Sequence, residues 1–218
     1  MKTRKHFVII TLLLTITVWN LTFCGKTPTT AEEFFDRGLA YAEKGKYNRA
    51  IADYTHSIQL DPNRANTYFN RGNAYNNKKD YDRAIADFNE VIRLDPNDAD
   101  TYINRGISYE SKKDYNRAIA DYNKALRLDP NDAIIYFNRG NVYDNKKDYD
   151  HAIADYNEAL RLDPNLADAY YRRGVVYGYK EDYDRSIADL EMALKLNPNY
   201  GAFLKTLILA TKADRSLQ

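Results

Sequence analysis

One cysteine, one tryptophan, two methionines and three histidines are all that this chain of 218 residues holds of those types. The lone cysteine, Cys24, excludes a disulfide within the chain and any cysteine-rich metal site. His6, His56 and His151 stand far apart, with no Ser/His/Asp or metal-ligand spacing around them. Glycine occurs nine times and almost always singly, which leaves no Gly-rich loop to cradle a phosphate. Neither sign of charge is in excess, with 32 Lys and Arg against 31 Asp and Glu, and without Lys2, Arg4 and Lys5 the balance is 29 to 31. No electrostatic footprint for nucleic acid follows from such numbers. The expectation is a chain with no catalytic residues, no cofactor, no metal and no nucleic-acid partner, and so not an enzyme.

Long apolar runs are also scarce. The one present, Phe7 to Val18 (FVIITLLLTITV), follows Lys2, Arg4 and Lys5 in the pattern of an export signal. It is short of the ~20 residues a bilayer span needs, and Asn20 weakens any longer reading. The run ends in Leu21-Thr22-Phe23-Cys24-Gly25, which resembles a bacterial lipobox. That resemblance implies lipidation of Cys24, which would become the mature N-terminus, although Phe23 stands where the motif takes Gly, Ala or Ser. The expected organisation is a membrane-targeting signal over residues 1–23 and a short tether over 24–30. The protein is then expected in the cell envelope, held to a membrane through its N-terminus. A periplasmic or secreted product of signal cleavage and an uncleaved single-pass anchor stand as the alternatives.

What the chain has in quantity is tyrosine, 20 in all, and the excess has one cause. Pro62, Pro96, Pro130, Pro164 and Pro198 recur every 34 residues, and a period of that size marks a repeat architecture. Aligned on them, Ala31, Ala65, Ala99, Ala133 and Ala167 open the repeats, and Gly38, Gly72, Gly106, Gly140 and Gly174 follow seven residues later. Seventeen of the 20 tyrosines fall in four columns, among them Tyr41, Tyr75, Tyr109, Tyr143 and Tyr177, so they read as core packing copied five times. Within one repeat, Tyr102, Gly106, Tyr109, then Tyr115, Ala118, Ile119, Tyr122, Ala125 and Leu126 keep helical spacing. Gly106 and Ala118 are small where two helices must approach, Asp114 stands at the N-cap of the second helix, and Pro130 ends it.

These repeats resemble the tetratricopeptide repeats over residues 31 to 200, carrying the family's positions as Tyr102, Gly106, Tyr109, Ala118, Tyr122, Ala125 and Pro130. The fold class implied is all-α: a right-handed α-solenoid of five tandem helix-turn-helix repeats at 31–64, 65–98, 99–132, 133–166 and 167–200. A lone hairpin cannot bury its apolar face, so stacked neighbours make the core and the ends need covers. Residues 201–218, apolar at Leu204, Leu207 and Ile208, are expected to form a capping helix.

In that family the first helix of each hairpin lines a concave, binding face. Carried over column by column, this places Asn70, Asn104 and Asn138 in a ladder with Asp36 and Arg172 at its ends. Beside it run Phe35, Phe69, Ile103, Phe137 and Tyr171, and Asn73, Asn76, Asn77, Asn141 and Asn145 add further amides. An amide both donates and accepts, so a row of them suits the backbone of an extended peptide, as in the asparagine ladders of some peptide-binding relatives. The plainer alternative is that Asn only solubilises the face. A clamp for a C-terminal carboxylate is argued against by Phe69, Ile134 and Asp168 at its positions, and Glu32, Asp100, Glu110, Asp144 and Asp168 favour a neutral or slightly basic partner. The function expected is an adaptor that binds a peptide segment or partner subunit. Self-assembly through repeat ends and accessory work for a membrane enzyme or transporter are the competing roles.

Two further columns read as structure. Arg37, Arg71, Arg105, Arg139 and Arg173 each have an Asp sixteen residues on (Asp53, Asp87, Asp121, Asp155, Asp189), which suits a repeated bidentate pair where helices meet. Lys78-Lys79, Lys112-Lys113 and Lys146-Lys147 read as solvated turns at helix C-termini, with anionic lipid headgroups as the sharper alternative.

Overall fold

The computed structural model describes residues 27–216, so the expected signal segment and Cys24 lie outside the described residues. The described residues form an all-α protein of eleven α-helices and one short 3₁₀ turn, with no strand among them. They fall into two compact bodies that meet in sequence at Pro62 and Asn63. The first holds one hairpin, α1 (Ala31–Glu43) and α2 (Tyr47–Leu60). The second holds four more, α3 (Ala65–Asn77) with α4 (Tyr81–Leu94), α5 (Ala99–Ser111) with α6 (Tyr115–Leu128), α7 (Ala133–Asn145) with α8 (Tyr149–Leu162), and α9 (Ala167–Tyr179) with α10 (Tyr183–Leu196). A last helix, α11 (Gly201–Arg215), follows the 3₁₀ turn at Pro198–Tyr200.

Local chemistry sets these boundaries. Asp80, Asp114, Asp148 and Asp182 cap α4, α6, α8 and α10, each accepting a bond from the backbone N–H three residues on. Thr30 and Glu33 close α1 with a capping box, and Asp98 and Asp132 cap α5 and α7. Second helices stop at Asp95, Asp129 and Asp163, whose backbone is extended because a proline follows. Each first helix turns back through one left-handed residue. Gly45 takes that place in the first hairpin, and Lys79, Lys113, Lys147 and Glu181 hold φ near +60° in the others.

The small column lets the two helices of a hairpin close on one aromatic ring. A Cβ placed on Gly106 would come within 3.0 Å of Tyr122, and one on Gly140 within 2.7 Å of Tyr156. Tyr122, Ala118 and Ala125 are fully buried and share a cluster with Ile135 and Val142 of the following hairpin. Burying such a side chain stabilises by about 2 kcal/mol, so the core is a shared property of neighbours. In the second body each second helix packs on the next first helix, and the first helices α3, α5, α7 and α9 also touch one another in series. At the end, Leu204 and Ile208 of α11 cover Ile187, Leu190 and Ala193 of α10, while Phe203 and Leu209 point outward at 65% and 68% exposure. No helix among the described residues is long and apolar enough to cross a membrane.

Candidate functional site

A first helix has two unlike sides, and α5 shows how the sequence assigns them. Thr101, Tyr102, Gly106, Ser108 and Tyr109 turn into the packing, whereas Asp100, Ile103, Asn104, Ile107 and Glu110 keep exposure on the side that helical spacing places opposite. Because the first helices of the second body touch in series, these free sides join into one continuous strip across α3, α5, α7 and α9. Within it, Ile107, Ile134 and Tyr179 are large apolar side chains left open to water.

The asparagine ladder falls on this strip. The amides of Asn70 and Asn104 each donate one N–H, at 2.8 Å, to a backbone carbonyl four residues back, Asn66 and Asp100 respectively. Each keeps its amide oxygen and a second N–H. The side chains of Asn73 and Asn138 bond no described residue. Other amides are engaged inside the protein. Asn76 accepts from the Ser108 hydroxyl at 2.8 Å, Asn141 accepts from the Tyr156 hydroxyl at 2.9 Å, and Asn145 donates to Glu110 at 3.2 Å. The bonds of Asn76 and Asn145 tie neighbouring hairpins together, while that of Asn141 closes its own, so Asn76 and Asn145 set the geometry of the strip as much as they offer a surface.

The apolar row is divided in the same way. Phe35, in the first body, is 8% exposed and lies 6.0 Å from Tyr54 in its own hairpin, which makes it core. Phe69, Ile103, Phe137 and Tyr171 are half-buried, with Phe69 edge-on to Phe88 and Phe137 tilted against Tyr156. Tyr171 continues into an aromatic patch, 5.7 Å from Tyr200 and 6.5 Å from Phe203, and the exposed Arg172 guanidinium lies near its ring. Tyr179, stacked on Tyr149, escaped the reading of the sequence because Glu43, Asn77, Ser111 and Asn145 share its column and hide any apolar signal.

Three carboxylates shape the potential of the strip. Glu110 accepts from the Tyr122 hydroxyl at 3.4 Å and from Asn145, and burial pushes its carboxyl upward against those bonds and against the pull of Arg172. Asp144, one repeat further on, is also pushed up by burial and drawn down by Arg172. Asp168 accepts from the Tyr200 hydroxyl, whose own pKa burial raises to about 12.

The Arg and Asp columns are paired as expected, in all five repeats. Arg105 gives Nε and Nη2 to the two oxygens of Asp121 at 2.8 and 2.7 Å, and its Nη1 reaches Asn89 of the preceding hairpin at 2.6 Å. Arg139 and Arg173 repeat this with Asp155 and Asn123, and with Asp189 and Asn157. The Asn partner was not foreseen. Lysines at the helix turns also bond across repeats, Lys112 to Asp82, Lys146 to Asn116 at 2.8 Å and Lys180 to Asp150. His56 and His151 are exposed. The latter stacks on Tyr143, in the column where Arg83, Arg117 and Arg185 lie over Tyr75, Tyr109 and Tyr177.

Comparison with known proteins places these hairpins among others of their kind. Residues 65–98, 133–166 and 167–200 match a family model described as "Tetratricopeptide repeat", as do residues 88–120 with a second such model. Residues 38–79 and 108–147 match one described as "TPR repeat". No curated protein sequence matches significantly. Among solved structures, MamA is 26% identical with a TM-score of 0.70, over 74% of this chain and 95% of that one. YrrB, described as "a TPR protein with an unusual peptide-binding site", is 26% identical with a TM-score of 0.68, over 84% of this chain and 92% of that one. PilF of Pseudomonas aeruginosa, at 17% identity and a TM-score of 0.72 over 85% and 86% of the two chains, shares the fold.

Proposed function

The chain belongs to the tetratricopeptide repeat family, a family of protein-interaction scaffolds, and on that premise we propose that it is an adaptor holding an extended peptide segment of another protein along the first-helix strip. One observation carries the reading: open amides at Asn70, Asn73, Asn104 and Asn138 run beside exposed Ile107 and Ile134 over successive hairpins. An extended backbone offers donors and acceptors at a regular spacing, and its alternate side chains point the same way. The amides suit the first and the aliphatic residues suit the second. The likeness to YrrB, with its peptide-binding site, supports the same use of the fold.

The test is a photocrosslinking side chain placed at Ile107 of the full chain, with the same group at Ala120 on α6 as the control. A peptide adduct mapped to Ile107 and lost when Asn70, Asn104 and Asn138 all become Ala supports the reading. Equal adducts at both positions defeat it. We further propose that residues 1–30 deliver this adaptor to the cell envelope and that Cys24 carries the lipid that holds it at a membrane. Incorporation of labelled fatty acid that survives Cys24→Ser would remove the anchor and leave the groove reading untouched. A competing role, self-association through the exposed face of α11, is favoured by Phe203 and Leu209. Mass that rises with concentration, and falls back with Leu209→Ser, would establish it. In the adaptor reading the chain carries out no catalytic step.

A further inference from the structure

Charge and apolar surface are distributed unevenly along the strip, and the unevenness specifies the peptide. Of the side chains on the free sides of α3, α5, α7 and α9, the α3 portion is neutral, with Asn66, Phe69, Asn70, Asn73 and Asn77. The α5 to α9 portion carries Asp100, Glu110, Asp144 and Asp168 against one cation, Arg172. Glu110 is fixed in direction by Tyr122 and Asn145. Asp144 is half-buried and accepts no hydrogen bond from a described side chain, so a carboxylate partly removed from water there keeps unused capacity for a donor. Arg172 meets part of that need but is itself exposed and drawn toward the Tyr171 ring. Apolar groups accompany these carboxylates, with Ile107 and Ile134 exposed among them, Tyr179 and Phe203 exposed after Asp168, and Tyr171 half-buried beside Phe203.

We propose that the α5 to α9 part of the strip takes a peptide whose Lys or Arg side chain sits at Glu110 and Asp144 and whose neighbouring aromatic or aliphatic side chain packs on Tyr171 and Phe203. The inference rests on the groove reading given above and adds the occupant's chemistry to it. Complementarity is the ground: the strip has a surplus of carboxylate where the cation would lie, and aromatic faces that attract a cation as well as an apolar side chain. The same arrangement disfavours an acidic segment, for which Arg172 alone would have to serve.

The experiment uses the full chain in detergent and three labelled 12-residue synthetic peptides of one Ala, Ser, Leu and Phe framework. One carries two Lys, one carries none and one carries two Glu. Fluorescence anisotropy is expected to rank them Lys, neutral, Glu, with about tenfold between the first and the last at low salt, the gap narrowing as salt is added. Asp144→Asn and Glu110→Gln are expected to bring the Lys peptide to the affinity of the neutral one, while Arg172→Gln strengthens it. Circular dichroism melting of each variant separates these effects from loss of fold. Equal binding of the Lys and Glu peptides, or a Lys preference that survives both carboxylate variants, overturns the proposal. If the neutral peptide still binds in that case and is released by Ile107→Ser, the groove stands and only the cation assignment falls. If no peptide binds, both fall.

Discussion

Arg105 lies between the Tyr102 and Tyr109 rings, 5.6 and 5.9 Å from their centroids, and its fork is filled by Asp121. The carboxylate is almost wholly buried, so removing it strands a charge in a poor solvent. Asp121→Ala is therefore expected to cost about 3 kcal/mol in chemical denaturation. The pair Arg105→Met with Asp121→Leu should recover most of that loss, because both charges leave together. Tyr54 presents the opposite case. Its hydroxyl is fully buried and has no partner among the described residues, since Ala42 and Leu39 occupy the positions from which Glu110 and Asn141 serve Tyr122 and Tyr156. Tyr54→Phe is expected to leave stability unchanged or raise it, whereas Tyr122→Phe should lower it by about 1 kcal/mol. Thermal melts of the two variants side by side check both signs. The Arg and Asp columns were legible because the same pair recurs at one spacing five times. The Asn that completes the forks of Arg105, Arg139 and Arg173 was not, because its column also holds Thr55 and Glu191 and an isolated Asn reads as ordinary surface.

Helix ends are where the repeats differ most, and the differences are testable. The second helix of the first hairpin begins at Lys46, which makes no side-chain cap, while Asp fills the same place in the other four. The backbone of Lys46 has nearly the same angles as that of Asp80. Lys46→Asp should add about 1 kcal/mol, read as a rise in melting temperature. The left-handed corner is reversed in distribution, with glycine only at Gly45 and a side chain forced to positive φ at Lys79, Lys113, Lys147 and Glu181. Lys113→Gly is expected to stabilise by about 1 kcal/mol for that reason, without touching the salt bridge of Lys112. Asp114 announced its cap in the sequence, because an Asp just before an apolar period has one obvious use. The strained corner stayed hidden, because a Lys pair signals charge and carries no mark of backbone angle.

At the scale of the second body, each hairpin relies on its neighbour for part of its core. Ending the chain at Asn197 would uncover Ile187, Leu190 and Ala193, now roofed by Leu204 and Ile208. Hydrogen exchange in α9 and α10 should quicken on that truncation while α5 and α6 change little, since coupling passes chiefly between neighbours. Uniform acceleration across all helices would contradict it. The column argument located the free strip well, because helical spacing alone decides which side of α5 meets its partner. It placed Phe35 on that surface where the structure has it in the core, because a column records direction and not how far a ring is covered.

Each arginine fork also has a bearing on how such an array changes length. Arg105 reaches sixteen residues back to Asn89 and sixteen forward to Asp121, and Arg139 does the same to Asn123 and Asp155. Both reaches fit within one period, so copying or excising a block of 34 residues between Asn89 and Asn157 leaves each arginine that remains among Arg105, Arg139 and Arg173 with an Asn sixteen residues before it and an Asp sixteen after. Unequal recombination in the gene therefore lengthens or shortens the first-helix strip by whole repeats without requiring a new joint.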